Sequence, residues 1–270
     1  MTETPAALTQ PFIVTKAYRR FAEFCDACRR YRYIGACTGA PGVGKTLSAR
    51  HYTGWDALEP WLSALLIGEP APSEVLRGTL LYTPSVVTTP RRLDEQLRAL
   101  RRSYHHTVES TLHPEQPIDW LAEPAHVDLL VVDEADRLKT LGLEVLRDLH
   151  DRTGIGLVLI GMPGLEKHLA RYPQLYSRVG FVHQYRALSA EELRFILAHK
   201  WSQLGLTFAP DDFTDAEALA AIGRITGGNF RLVQRLFSQI ERVLEINQLT
   251  MISREVVEAA RESLVIGPTA

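Results

Sequence analysis

Residues 39–46 read Gly-Ala-Pro-Gly-Val-Gly-Lys-Thr, the pattern G-x-x-x-x-G-K-[ST]. Each residue type in it serves polyphosphate chemistry. The glycines let the chain curl until successive backbone N–H groups point inward at phosphate oxygens, and a helix starting there adds the positive end of its dipole. Lys45 is placed to neutralise β- and γ-phosphate charge, and the Thr46 hydroxyl to meet a magnesium ion. Gly39, Ala40, Pro41, Gly42, Val43, Gly44, Lys45, Thr46 and Leu47 are therefore expected to hold a nucleoside triphosphate, with ATP and Mg2+ as the ligands.

Hydrolysis needs further groups. The stretch "LLVVDEAD" ends an apolar run in Asp133, which can join Thr46 in the magnesium shell, and in Glu134, which can orient and polarise the attacking water. Asp136 and Arg137, just beyond, are read as surface or subunit-interface charges.

These residues must be held by elements of defined kind. "RYIGACT" (32–38) reads as a strand that feeds the glycine loop, and Lys45 to Tyr52 as the helix that leaves it. A helix is expected before them, from Lys16 to Arg30. The segment Trp55 to Arg77 reads as an irregular connection with a helical stretch. Further strands are "GTLLYT" (78–83), "VDLLVVD" (127–133), "IGLVLIG" (155–161) and a last short one within "GFVHQYRAL" (180–188), with helices over Arg91 to Tyr104 and Leu141 to Arg152 between them. Strands that alternate with helices make a parallel sheet covered on both faces. After Ser189 only helices are expected, near 190–204, 214–225, 229–247 and 253–264. The boundary falls near Ala187, dividing an α/β lobe (1–187, with an N-terminal segment) from a small all-helical lid (188–270).

Composition narrows the function classes. A chain of 270 residues with 46% hydrophobic content can bury one good core and a second, smaller one, and a net charge of −2 excludes nucleic-acid binding by bulk basicity. No apolar run approaches the ~18–20 residues of a membrane span, and "MTETPAALTQ" lacks a signal peptide's basic start and apolar core. A cytoplasmic protein is expected, with no membrane partner. Cys25, Cys28 and Cys37 make no disulfide framework. Cys25 and Cys28 form a C-x-x-C without a second pair of ligands, and are expected on the apolar side of the first helix with Phe21 and Phe24.

The order of these motifs resembles that of the AAA+ ATPases, and two later segments extend the likeness. "YPQLYSRVGF" is similar to the AAA+ segment before the last strand, which implies that Arg178 is offered to a neighbouring subunit's γ-phosphate. "TGGNFRLVQRL" is similar to the second-sensor motif, which implies that Arg231 reaches the nucleotide from the lid. The family commonly carries Asn or Thr at the end of the fourth strand; Gly161 and Met162 stand there, which implies slow hydrolysis or water positioned by another group. "PFIVTKAYRRF", "DEADRLK" and "LIGMPGLEKHLARYPQLYSRVGF" resemble the MuB/TniB/TnsC group of transposition regulators. That likeness implies an ATP-dependent, sequence-independent binder of double-stranded DNA that forms a homo-oligomeric ring or filament, marks the target, and recruits or activates a transposase, with a target-selector protein as a further candidate partner. The same motifs also occur in AAA+ remodelling and initiation factors, such as helicase loaders, origin-recognition proteins and secretion-type ATPases. In "TTPRRLDEQLRALRRSYHH" five arginines face two acids. Taken alone it is an ordinary solvated helix face; the resemblance puts Arg91, Arg92, Arg101, Arg102 and Lys139 on the DNA side, as sequence-blind phosphate contacts.

Overall fold

A computed structural model describes residues 12–63 and 70–264. The N-terminal segment up to Pro11 and the tail after Leu264 lie outside the described residues, as do residues 64–69 of the connection read as irregular.

Helix α1 (Lys16–Tyr31) starts at Thr15, whose hydroxyl accepts from the Tyr18 N–H, and it buries Phe21, Phe24, Cys25 and Cys28 against the sheet. Strand β1 (Ile34–Thr38) runs into the glycine loop, and α2 (Lys45–Thr53) leaves it. The short α3 (Trp55–Leu58) and two 3₁₀ turns lead to β2 (Thr79–Tyr82) and α4 (Pro90–Leu112). Then come β3 (Leu129–Val132), α5 (Thr140–Thr153), β4 (Gly156–Gly161), the short α6 (Leu165–Leu169) and α7 (Pro173–Tyr176), and β5 (Val179–Gln184). The five strands are parallel, in the order β2-β3-β4-β1-β5. Every residue of β1, β3 and β4 is buried, as strands covered on both faces must be. At the edge, β5 alternates half-buried and exposed positions, so its pattern reads as a strand only when its place in the sheet is known.

Helix α4 runs eight residues beyond the expected end at Tyr104. The added stretch, "HHTVESTL", is rich in poor helix formers. Its hydroxyls are satisfied on its own backbone: Thr107 donates to Ser103, Ser110 to His106 and Thr111 to Thr107. Those bonds satisfy hydroxyls that the fold buries without favouring the helix themselves; burial of Tyr104, Val108 and their neighbours outweighs the local propensity.

From Ala190 the chain is helical: α8 (Ala190–Gln203), α9 (Phe213–Thr226), α10 (Phe230–Asn247) and α11 (Arg254–Glu262). They enclose a core of their own around Trp201, Leu236 and Phe237. Ser189 and Glu192 form a capping box at α8, and the side chains of Asp212, Asn229 and Ser253 cap the other three. Among the described residues no helix is long and apolar enough to cross a membrane.

Candidate functional site

In this strand order β1 lies between β4 and β5, so the chain reverses its direction of travel across the sheet at β1. The crevice outside the carboxyl ends of the strands at such a point is where open α/β sheets bind ligands. Three loops meet there: Gly39–Gly44 after β1, the turn after β3, and Gly161–Gly164 after β4. One cleft is lined by the glycine loop, Lys45, Thr46, Asp133, Glu134 and, from the helical region, Arg231. The structure thus brings together residues of the glycine loop, the acidic pair and Arg231.

Within the cleft the polar groups are already paired with each other. The Lys45 ammonium donates to the carbonyls of Gly39 (2.6 Å) and Ala40 (2.9 Å). Burial lowers its pKa from the ordinary lysine value, with Cys37, Asp133 and Asp136 opposing that shift and Arg231 adding to it. Asp133 is buried, yet its charge is compensated: Oδ2 accepts from the Thr46 hydroxyl at 2.6 Å and Oδ1 from the Glu134 N–H at 2.9 Å. The first length is that of a charge-assisted O–H···O⁻ bond. Glu134 sits in the left-handed backbone region, at φ 52°, a conformation that non-glycine residues adopt rarely and mostly at functional sites.

Asp136 and Arg137 are exposed, as expected of surface charges, and the structure adds where on the surface they lie. Both line the cleft. The 3₁₀ turn Ala135–Arg137 brings them round beside Glu134. Arg137 forms an ion pair with Glu134, and its Nη1 donates to the Pro84 carbonyl (2.9 Å) in the loop before α4. Asp136 accepts from the Met162 N–H (3.1 Å), so a carboxylate stands beside the position where Asn or Thr was looked for. The signal available in the sequence was only their closeness to Glu134.

The helical region docks on the phosphate loop itself. Asn229 donates from Nδ2 to the Pro41 carbonyl (2.8 Å), and the Arg231 N–H donates to the Gly42 carbonyl (2.9 Å). Gly42 has φ 80°, and a Cβ there would meet Asn229 Oδ1 at 2.6 Å, so both backbone freedom and close approach require glycine. Asn229 also caps α10. Asn229→Ala is therefore expected to cost about 1–2 kcal/mol, lower Tm by roughly 2–6 °C and weaken ATP binding several-fold. Thermal denaturation and a nucleotide titration check this; native values in both would show that the docking contributes nothing.

Beside the cleft lies a more apolar recess that shares Gly44, Leu47, Phe230 and Gln234 with it and adds Phe12, Ile13, Leu188 and Tyr185. Burial raises the Tyr185 phenol to about 12, and its hydroxyl pairs with Ser48. These contributors come from four distant parts of the chain, and of them sequence reading named only Gly44 and Leu47 as nucleotide-binding residues.

Arg178 lies elsewhere. Its carbonyl accepts from the Ile34 N–H at the start of β1, whereas the phosphate loop follows the end of β1. Four residues of strand, about 13 Å, separate the two levels. Its guanidinium binds Asp151 through Nε (2.5 Å) and Nη2 (2.8 Å), and this bonding holds the Asp151 carboxyl below its ordinary pKa.

The arginines of α4 do not share one face. Arg101 is 8% exposed, its Nη2 donating to the Pro124 carbonyl at 3.0 Å. It lies at the edge of the stripe formed by Leu93, Leu97 and Tyr104, so the expectation that it joins a phosphate-facing surface is corrected. Arg91, Arg92, Arg102 and Lys139 are exposed. Arg91 pairs with Glu95 and Arg98 with Asp94.

A family model described as "AAA domain" matches residues 28–169. The chain belongs to the AAA domain family. It is 45% identical over 266 residues to a "Potential ATP-binding protein" of Staphylococcus aureus, covering 96% of this chain and 98% of that one. It is 27% identical over 236 residues to the "Mu-like prophage FluMu DNA transposition protein B" of Haemophilus influenzae, 84% of this chain and 71% of that one. The fold is that of the Thermotoga maritima RuvB Holliday junction branch migration motor, with a TM-score of 0.59 at 19% identity over 93% of this chain and 70% of the other. The parallel sheet read from the alternation of elements, and the AAA+ resemblance read from the motifs, both stand. The AAA+ protein is an ATPase that binds ATP.

Proposed function

We propose that this ATPase is a regulator of DNA transposition: it binds duplex DNA without regard to sequence when ATP is bound, assembles on it as a ring or filament, marks the target and recruits or activates a transposase, in the cytoplasm. The relationship to a DNA transposition protein supports the process. The bridge made by Arg137 supports the coupling to ATP. One guanidinium joins Glu134, at the phosphate end of the cleft, to Pro84, in the loop that leads to Arg91 and Arg92, while Lys139 follows two residues after the bridge.

In this reading Lys45 and the N–H groups of the glycine loop bind the phosphates, and the apolar recess around Phe12, Tyr185 and Phe230 takes the base. Thr46 and Asp133 would hold magnesium, a fit favoured by two hard oxygen donors side by side. Bound there, the ion would neutralise charge across the β- and γ-phosphates. Glu134 orients the water once its carboxylate turns from Arg137. Arg231 reaches the nucleotide from the helical region, residues 188–270, which acts as a lid over the lobe 1–187. Arg178 cannot reach the site of its own chain and serves the neighbour's.

Binding to a short duplex, followed by anisotropy over a range of salt, tests the DNA reading. Affinity should require ATP, be indifferent to sequence, and fall with a log–log slope of about −0.9 per phosphate neutralised. The double substitution Arg92→Ala, Lys139→Ala should reduce that slope by about two per subunit with ATP affinity unchanged, whereas Arg101→Ala should leave the slope alone. No DNA binding in any nucleotide state would refute the proposal.

A further inference from the structure

We propose a second site, for a zinc-class divalent cation, at the amino-terminal edge of the sheet, held by His105, Glu109 and His126. Each of the three offers one ligand atom, and these atoms lie within 4.8 Å of one another. His105 and Glu109 stand one helical turn apart on α4 and so share a face. His126 arrives from the segment just before β3, with its backbone in the left-handed region at φ 67°. Its Nε2 lies 2.6 Å from Glu109 Oε1, and its ring lies nearly parallel to that of His105, at 14° and 5.3 Å between centroids.

The independent sign of a ligand is His105 itself. It is only 6% exposed, and its Nδ1 is buried without a hydrogen-bond partner. Buried polar atoms are almost always satisfied, and an orphan calls for an explanation. An imidazole packed beside a second imidazole and a carboxylate, with a nitrogen left unpaired, has what a cation would need. His113 adds a fourth candidate donor: its Nε2 lies 4.0 Å from the other oxygen of Glu109.

The donors select the metal. Two or three imidazoles with one carboxylate suit zinc and its first-row neighbours, whereas calcium and magnesium prefer oxygen throughout.

Such an ion would clamp the carboxyl half of α4 to the chain entering β3. The site is remote from the nucleotide cleft: His126 precedes the start of β3 and Asp133 follows its end, about 13 Å of strand away. Metal binding is therefore expected to act on stability and to leave ATP affinity unchanged. Asp128, two residues after His126, already ties the same segment to Arg29 and Arg32 of the sheet's opposite cover.

Titration of the full chain with Zn2+, and with Co2+ followed by visible absorption, decides the matter. The expected result is about one equivalent bound, a cobalt spectrum of nitrogen and oxygen ligation without thiolate charge transfer, and a Tm rise of roughly 5–10 °C at about a hundredfold excess over Kd. His126→Asn removes the imidazole while keeping a residue that tolerates positive φ, and Glu109→Gln removes the charge with little change of shape. Each should abolish the cobalt spectrum and the Tm rise while ATP binding stays native. Absence of zinc binding, a thiolate spectrum, or metal binding that survives both substitutions would overturn the proposal.

Discussion

Lys45→Ala is expected to lose ATP binding by about 3 kcal/mol or more, roughly a hundredfold in Kd. The ammonium is half-buried at the mouth of the loop and hydrogen-bonded to the carbonyls of Gly39 and Ala40. No other cation on the glycine loop or the first turn of α2 could replace it, because Thr46, Leu47 and Ser48 follow. Alanine leaves the loop's N–H groups but removes the charge that offsets the phosphates. Burial of Asp133 should be unaffected, since its partners are Thr46 and the Glu134 backbone. The folded chain should therefore melt near the native temperature while a fluorescent ATP analogue fails to bind. Native affinity in this variant would remove the phosphate-cradle assignment.

Arg178→Ala is expected to reduce assembly-stimulated turnover by about 10³–10⁵, the range for an arginine that meets the transferring phosphoryl group. Affinity for nucleotide in the isolated subunit should hardly change, because Arg178 stands at the opposite end of β1 from its own phosphate loop. Its guanidinium is held by a bidentate bond to Asp151. Glu134→Gln should retain ATP and lose turnover. Mixing the two inactive variants should recover part of the activity, since some interfaces then pair an intact arginine with an intact glutamate. No recovery at any ratio would mean that Arg178 acts within its own chain or not at all.

The parts of this protein that were legible in its sequence are those whose chemistry is local. The phosphate loop carries its strand, turn and helix start within sixteen residues, and the buried strands β1, β3 and β4 announce themselves as unbroken apolar runs. The acidic pair was legible because it ends such a run. What was hidden depends on partners distant in the chain. Arg101 and Arg102 are adjacent and alike, yet the phase of α4 turns one inward to the Pro124 carbonyl and leaves the other in water. Asp136 and Arg137 are surface charges as read, but that they also line the cleft follows only from the 3₁₀ turn after β3. The apolar recess takes residues as far apart as Phe12 and Phe230, and His126 joins Glu109 across 17 residues. No local periodicity encodes such meetings. They follow from the order in which the strands pack.

In the proposed function, ATP drives this protein to assemble on DNA. Negative-stain electron microscopy of the full chain with ATP and a long linear duplex, beside samples with ADP and without DNA, tests it most directly. With ATP, rings or filaments threaded on the duplex are expected, absent with ADP and absent for Lys45→Ala. Particles that remain single in every state, or assemblies that form equally with ADP and ignore the DNA, would contradict it.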